Sequence, residues 1–207
     1  MAKTTLPKTK APFDHRLVVR DTGFDAPGQA PDITIQELYG LLVADEKRNE
    51  HIIDDVLTAM EEGRSPILLT ERKQHLEKLH DRLKGFVRHI IILRGGRSMK
   101  ERREVEEQLA SIPDDEERLI LATGRYIGEG FDDARLDTLF LALPVSWKGT
   151  LVQYAGRLHR LHPGKREVRL VDYVDGKVPM LAKMFEKRRI GYRSMGYREE
   201  EVKTILE

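Results

Sequence analysis

From Ser65 onward, short continuous apolar runs alternate with segments whose apolar positions recur every three or four residues. PILLT (Pro66–Thr70), FVRHIIIL (Phe86–Leu93), RLILAT (Arg118–Thr123), LDTLFLAL (Leu136–Leu143) and EVRLVDYV (Glu167–Val174) read as strands. Between them, ERKQHLEKLHDRLKG and SMKERREVEEQLASI read as helices, the first stopped by Gly85, and a later helix carries QYAGRLHR. Strands apolar on both sides, separated by amphipathic helices, are the pattern of a parallel sheet covered on both faces. Such sheets bind ligands at the carboxyl ends of their strands. Those ends are Thr70, Arg94-Gly95-Gly96, Thr123-Gly124-Arg125, Pro144 and Asp172.

The rest of the chain sets the limits of this α/β unit. Residues 1–12 are basic and without periodicity, and read as a tail; His15–Phe24 reads as one short strand, and Asp25–Asp32 as a linker by its Pro and Gly content. Residues 34–63 read as helical, with Ile52, Ile53, Val56, Leu57 and Met60 on one face and Gly63 as the stop. The expected organisation is residues 1–33 as tail and linker or the end of an inter-domain segment, 34–175 as the α/β domain, and 176–207 as a C-terminal helical extension. In that extension Met180, Leu181, Met184 and Phe185 form an apolar stripe for packing. Its basic end, Lys187-Arg188-Arg189 with Tyr192, Arg193 and Tyr197, reads first as packing and second as a nucleic-acid contact.

Composition narrows the classes. An apolar fraction of 40% supports a core, and 34% charged residues predict a heavily solvated surface. Net charge is only +1, so any site for a polyanion is local. The absence of cysteine removes disulfides, thiolate metal sites and Cys nucleophiles, and fits a reducing cytoplasm. No apolar run is long enough to cross a bilayer, and no membrane association is expected. His159 and His162 have no third ligand spaced to join them, so no metal site is expected. Asp114–Glu117 reads as a solvated turn, and Asp132-Asp133 as carboxylates without a hydrolase around them.

Two stretches carry chemistry. At 100° per residue, Leu151, Ala155, Leu158 and Leu161 share one side of the later helix, while Gln153, Arg157 and Arg160 share the other. Gly156 lies beside that polar stripe. A glycine inside a helix costs about 1 kcal/mol relative to alanine, and a solvated face gains nothing from it. Close approach of another backbone or a phosphate does require it, and two arginines one turn apart suit phosphate oxygens. A plain solvated basic face is the competing reading. The second stretch, ATGRYIGEGFDDARLD, sets Gly124, Gly128 and Gly130 after a strand, with Asp132 close behind. Backbone N–H groups there can approach a phosphate, and the acid can take a ribose hydroxyl.

Taken together, Ala122, Thr123, Glu129, Gly130 and Asp132, followed by Gln153, Gly156, Arg157 and Arg160, resemble motifs V and VI of the superfamily 2 helicases and translocases. ILLTERKQHLEKL resembles motif IV, and the likeness runs from about Asp45 to Asp175. QYAGRLHR is most similar to the branch containing restriction-enzyme translocating subunits and a repair helicase. The resemblance implies a three-layer α/β/α RecA-like domain with a mostly parallel central sheet, preceded by a short N-terminal extension, the second of two such domains. It implies ATP and Mg²⁺ in the cleft between the domains, with Arg160 as arginine finger, Arg157 its companion and Gln153 coupling the cleft to the bound strand. Gly130, Asp132 and Gly156 would complete the ATP-facing set. Thr70, Gly95, Gly96, Thr123 and Gly124 would face nucleic acid, DNA ahead of RNA.

No P-loop, G-x-x-x-x-G-K-[S/T], occurs in the sequence. Gly164-Lys165-Arg166 lacks its partner glycine and hydroxyl residue. LLVADEKR (Leu41–Arg48) imitates a Walker B strand but has too little chain before it for an ATP-binding domain, and reads as a run-in helix with Asp45 and Glu46 exposed. The first RecA-like domain is therefore expected as the partner that holds ATP and Mg²⁺, with none bound by this chain alone. The competing functions are a stand-alone nucleic-acid or protein adaptor, and an unrelated α/β protein that binds nucleotide tightly by itself.

Overall fold

The strand-forming runs are apolar on successive residues because each side of the sheet has its own core. In β2 (Pro66–Thr70), Ile67 and Leu69 point into one cluster while Leu68 points into the other. The same alternation holds for β4 (Leu119–Thr123), β5 (Thr138–Leu141) and β6 (Glu167–Val174). The computed structural model describes residues 13–26, 33–96, 98–124, 133–145 and 151–200. With β1 (Asp14–Asp21), β3 (Ile90–Leu93) and β7 (Arg198–Glu199), the described strands form one seven-stranded sheet in the order β3-β4-β2-β5-β6-β1-β7. All of its pairings are parallel.

Helices α2 (Glu46–Glu61) and α3 (Lys73–Leu83) cover one face through Ile52, Val56, Leu76, Leu79 and Leu83. The other face is covered by α4 (Met99–Ser111), α5 (Val152–Leu158) and the end of α6 (Pro179–Ser194), through Val105, Tyr154, Leu158 and Tyr192. A third cluster joins α1 (Ile35–Ala44) to the start of α6 through Leu38, Leu42, Leu143, Val178 and Leu181. This is the three-layer α/β/α arrangement, with a parallel central sheet, that the resemblance implies.

Four local outcomes refine the sequence reading. The helical stretch from residue 34 is two helices, because the Asp45 carboxylate accepts the Arg48 N–H at 2.7 Å and starts α2 afresh. LLVADEKR therefore spans a helix junction: Glu46 is exposed and pairs with Lys78 at 2.6 Å, whereas Asp45 is half-buried as the cap. The second predicted strand begins only at Ile90, since Gly85 turns the chain at φ 96° and leaves Phe86 71% exposed. Finally, β1 pairs with β6 over eight residues, Asp14↔Glu167 to Asp21↔Val174, so residues 14–21 are built into the sheet.

No helix among the described residues is long and apolar enough to cross a membrane.

Candidate functional site

The carboxyl ends of β2 and β4 lie side by side, with Thr70 opposite Thr123 in the ladder. Gly124 N–H extends that pairing by donating to the Thr70 carbonyl at 3.2 Å. On the other side of β4, Gly95 N–H reaches the Thr123 hydroxyl at 3.4 Å, and Gly96 completes the turn at φ 83°. Thr70, Gly95, Gly96, Thr123 and Gly124 are thus brought to one sheet edge. Gly95 and Gly96 are exposed, and Thr123 and Gly124 are partly so. A Cβ on Gly124 would meet the end of the exposed Glu71 side chain, which would have to swing aside.

Thr70 differs from its neighbours: it is buried, and its hydroxyl works inward. Burial lowers the His75 pKa from 6.5 to about 3, so the ring is neutral. Its Nε2–H donates to Asn49 Oδ1 at 2.9 Å, leaving Nδ1 to accept from the Thr70 hydroxyl at 3.0 Å. Thr70 Oγ1 in turn accepts the Arg72 N–H at 3.3 Å, and Asn49 Nδ2 donates to the Val43 carbonyl at 3.0 Å. Every polar atom of this chain has a direction, and it ties the end of β2 to α3, α2 and the end of α1.

Helix α5 presents two unlike sides. Leu151, Tyr154, Ala155 and Leu158 are buried against the sheet, while Gln153 and Gly156 are exposed and Arg157 is half-buried. A Cβ built on Gly156 meets no atom within 4 Å among the described residues, so none of these requires the glycine. The predicted helix ran on through Arg160, but α5 ends at Leu158. His159 has φ −78° and ψ 2°, and Arg160 N–H bonds to the Arg157 carbonyl at 3.3 Å. The reason is Lys165, whose Nζ donates to the Leu158 and Arg160 carbonyls at 2.9 and 2.8 Å. A cation on the last carbonyls of a helix satisfies groups the helix leaves open and favours the negative end of its dipole. The Gly164-Lys165-Arg166 fragment is thus a helix cap. Arg160 is exposed in the capped turn.

His159 stacks flat on His15 from β1, with centroids 4.3 Å apart, and its Nε2 lies 3.2 Å from the Tyr197 hydroxyl. Burial lowers its pKa to about 4, with His15 and Lys165 contributing in the same direction. Both histidines are therefore neutral packing groups near pH 7. Among the described residues no three His, Asp or Glu side chains are grouped to hold a metal.

Asp172 and Pro144, the other strand-end residues, are structural. Asp172 is fully buried and takes a bidentate pair from Arg188 at 2.7 and 2.8 Å, plus the Tyr192 hydroxyl at 2.7 Å. The Pro144 carbonyl accepts the Tyr39 hydroxyl. A second buried pair, Arg48 with Asp175 at 3.0 Å, fixes α2 to the end of β6. Arg188, Tyr192 and Tyr197 are all buried, in keeping with packing as the first reading of the C-terminal basic stretch. Gly130 and Asp132 lie outside the described residues.

One residue that joins these elements went unremarked in the sequence. Tyr154, on α5, donates its hydroxyl to the Gly124 carbonyl and so joins the α5 strip to the β4 edge. Its only signal was a hydroxyl on the buried side of an otherwise aliphatic helix face, which needs a polar partner.

The chain is similar to several known proteins. The family described as "Helicase conserved C-terminal domain" matches residues 48–162. No curated protein matches the sequence. Among solved structures, T4 UvsW superposes with a TM-score of 0.71 at 18% identity, over 95% of this chain and 42% of that one. The C-terminal part of the Fun30 ATPase domain gives 0.57 at 14% identity, over 75% of this chain and 54% of that one. Domain 2 of the DEAD-box helicase Mss116p, bound to an RNA duplex, gives 0.52 at 13% identity, over 93% and 66%. The chain spans less than half of UvsW and about half of the Fun30 fragment.

Proposed function

The chain belongs to the helicase conserved C-terminal domain family, as a RecA-like domain of superfamily 2, and on that premise we propose that it is the half of an ATP-driven nucleic-acid motor that supplies an arginine finger and part of the strand track. The observation that carries this reading is the outward side of α5. Gln153 and Gly156 lie exposed along it and Arg160 on the turn that follows, and a Cβ on the glycine meets no atom among the described residues. An open strip with two guanidinium groups fits the distal phosphates of a nucleotide held chiefly by a second body.

When bound, ATP supplies a phosphoanhydride whose cleavage is the energy source. Arg160 lies on a short turn fixed by Lys165, which limits the backbone freedom of a side chain that must meet developing charge. Such an arginine is worth about 10³ to 10⁵ in rate. Arg157 steadies the same oxygens one turn earlier. Gly130 and Asp132, with the rest of motif V, face the nucleotide in this reading.

The strand track is the edge formed by Gly95, Gly96, Thr123 and Gly124. The Thr123 hydroxyl accepts the Gly95 N–H and keeps its own proton to donate to a backbone phosphate. Thr70 contributes by holding Gly124, whose N–H its carbonyl accepts, since its hydroxyl is committed to His75. QYAGRLHR favours DNA over RNA by its likeness to restriction-enzyme translocating subunits. A stand-alone nucleic-acid or protein adaptor is the alternative, and it has no need of an arginine finger.

The test is ATP hydrolysis with and without nucleic acid. The purified 207-residue chain is expected to show none. Within a protein that also carries a P-loop domain, Arg160→Ala should abolish turnover while retaining most ATP binding. Nucleic-acid-stimulated hydrolysis by the isolated chain, or full turnover by the Arg160→Ala protein, sinks the proposal.

A further inference from the structure

We propose that the Tyr154 hydroxyl is a positioning group that couples the strand track to the arginine strip. This rests on the two-face reading above and adds the physical link between the faces.

Tyr154 sits in the buried side of α5 among Leu151, Ala155 and Leu158, so its ring moves with the helix. Its hydroxyl leaves that apolar surface and donates to the Gly124 carbonyl. Gly124 is the residue after Thr123, and its N–H is committed to the Thr70 carbonyl at 3.2 Å. One peptide-bonded pair, Thr123-Gly124, therefore carries three connections: Gly95 N–H on the Thr123 hydroxyl, Thr70 on the Gly124 N–H, and Tyr154 on the Gly124 carbonyl. Engaging Thr123 or the Gly95 turn with a phosphate moves or stiffens this pair, and the third connection hands that change to α5. Burial, reinforced by the nearby Glu71 charge, raises the Tyr154 pKa well above that of an ordinary phenol, so the group remains a donor at any physiological pH.

The arrangement has a geometric logic. Helix α5 has seven residues, and its polar side carries Gln153 and Arg157. The buried side of so short a helix is largely aliphatic, and apolar contacts do not specify rotation about its axis. A single directional bond from that side does. It fixes where Arg157 and the turn to Arg160 point relative to the end of β4.

Hydrogen–deuterium exchange on the 207-residue chain, with and without a single-stranded DNA 20-mer, tests the link directly. In the wild-type chain, oligonucleotide binding is expected to slow exchange of the Gln153–Arg160 amides by about fivefold, the factor one such bond is worth. Tyr154→Phe keeps the ring and its packing. It should bind the oligonucleotide with affinity within about twofold of wild type but lose the slowing in α5. Equal slowing in Tyr154→Phe overturns the coupling role, as does wild-type binding that leaves α5 unchanged. The second outcome needs no variant and stands even if Tyr154→Phe folds poorly. A wild-type chain that binds neither the DNA nor an RNA 20-mer instead overturns the nucleic-acid reading itself, and the coupling with it.

Discussion

Gly156→Ala separates what the chain needs for itself from what it offers a partner. The backbone there is helical, Gly156 is not among the positive-φ glycines, and its Cβ would stand in open space. The substitution therefore incurs no clash and gains helix propensity, at most about 1 kcal/mol. Gly156 lies two residues from the end of the seven-residue α5, where fraying weakens the effect. The expected gain is about 0.5–1 kcal/mol, or a rise of about 1–4 °C in Tm for a domain of this size. Urea and thermal denaturation of the isolated chain measure it. In a protein carrying both motor domains, the same methyl group would stand on the strip proposed to face phosphate or another backbone. ATPase activity should then fall by about 10- to 100-fold, the scale of a displacement of about 1 Å at a reacting centre. A destabilised isolated chain would refute the reasoning, because the glycine would then serve internal packing. Unimpaired ATPase activity would refute it from the other side, by showing that nothing approaches Gly156.

Two further predictions follow from the buried polar groups. His75 is neutral in the fold, with its pKa at about 3 against 6.5, so the unfolded chain takes up a proton first as pH falls. The stability it contributes is full above pH 6.5 and drains away below it. The loss is about 2 kcal/mol by about pH 5. His75→Gln should flatten the pH dependence of urea unfolding by that amount, and an unchanged slope would place His75 in contact with water. Arg188→Met leaves the Asp172 carboxylate buried with only the Tyr192 hydroxyl, and should cost about 3–5 kcal/mol in urea unfolding. Adding Asp172→Leu should recover most of that loss, and a cost below about 1 kcal/mol for Arg188→Met alone would mean that water reaches the carboxylate.

The sheet was legible because its strands are buried on both faces and so lack polar interruptions. Glu167–Val174 is bounded as the sequence reads it, and PILLT matches β2 to the residue. The break at Asp45 was illegible because neither Gly nor Pro marks it. A single carboxylate reaching back to Arg48 N–H decides it. The full burial of Arg48 and Arg188 follows from carboxylates 127 and 16 residues away in the chain, which no local pattern announces. Of the candidate site, the residue types on α5 and at the strand ends were legible from spacing. The inward turn of the Thr70 hydroxyl, the early end of α5 at the Lys165 cap and the Tyr154 link to Gly124 were not. Each depends on which partner a side chain finds across the fold, and periodicity along the chain does not carry that information.

The seating of β1 beside β6 also sets a clock. Asp14–Asp21 leaves the ribosome well before its partner strand, which begins at Glu167, roughly 150 residues later. At about 5–20 residues per second, synthesis needs about 8–30 s to deliver β6. Through that interval Leu17, Val18 and Val19 have no ladder partner, and an unpaired apolar strand is a template for the wrong neighbour. Arg16, Arg20 and Asp21 flank those three residues in the sequence, the placement of charge that discourages stacking of nascent strands. The sheet closes only when the last long strand arrives, and the turn bearing Arg160, stacked through His159 on the His15 ring of β1, takes its working form among the last parts of the domain to be made.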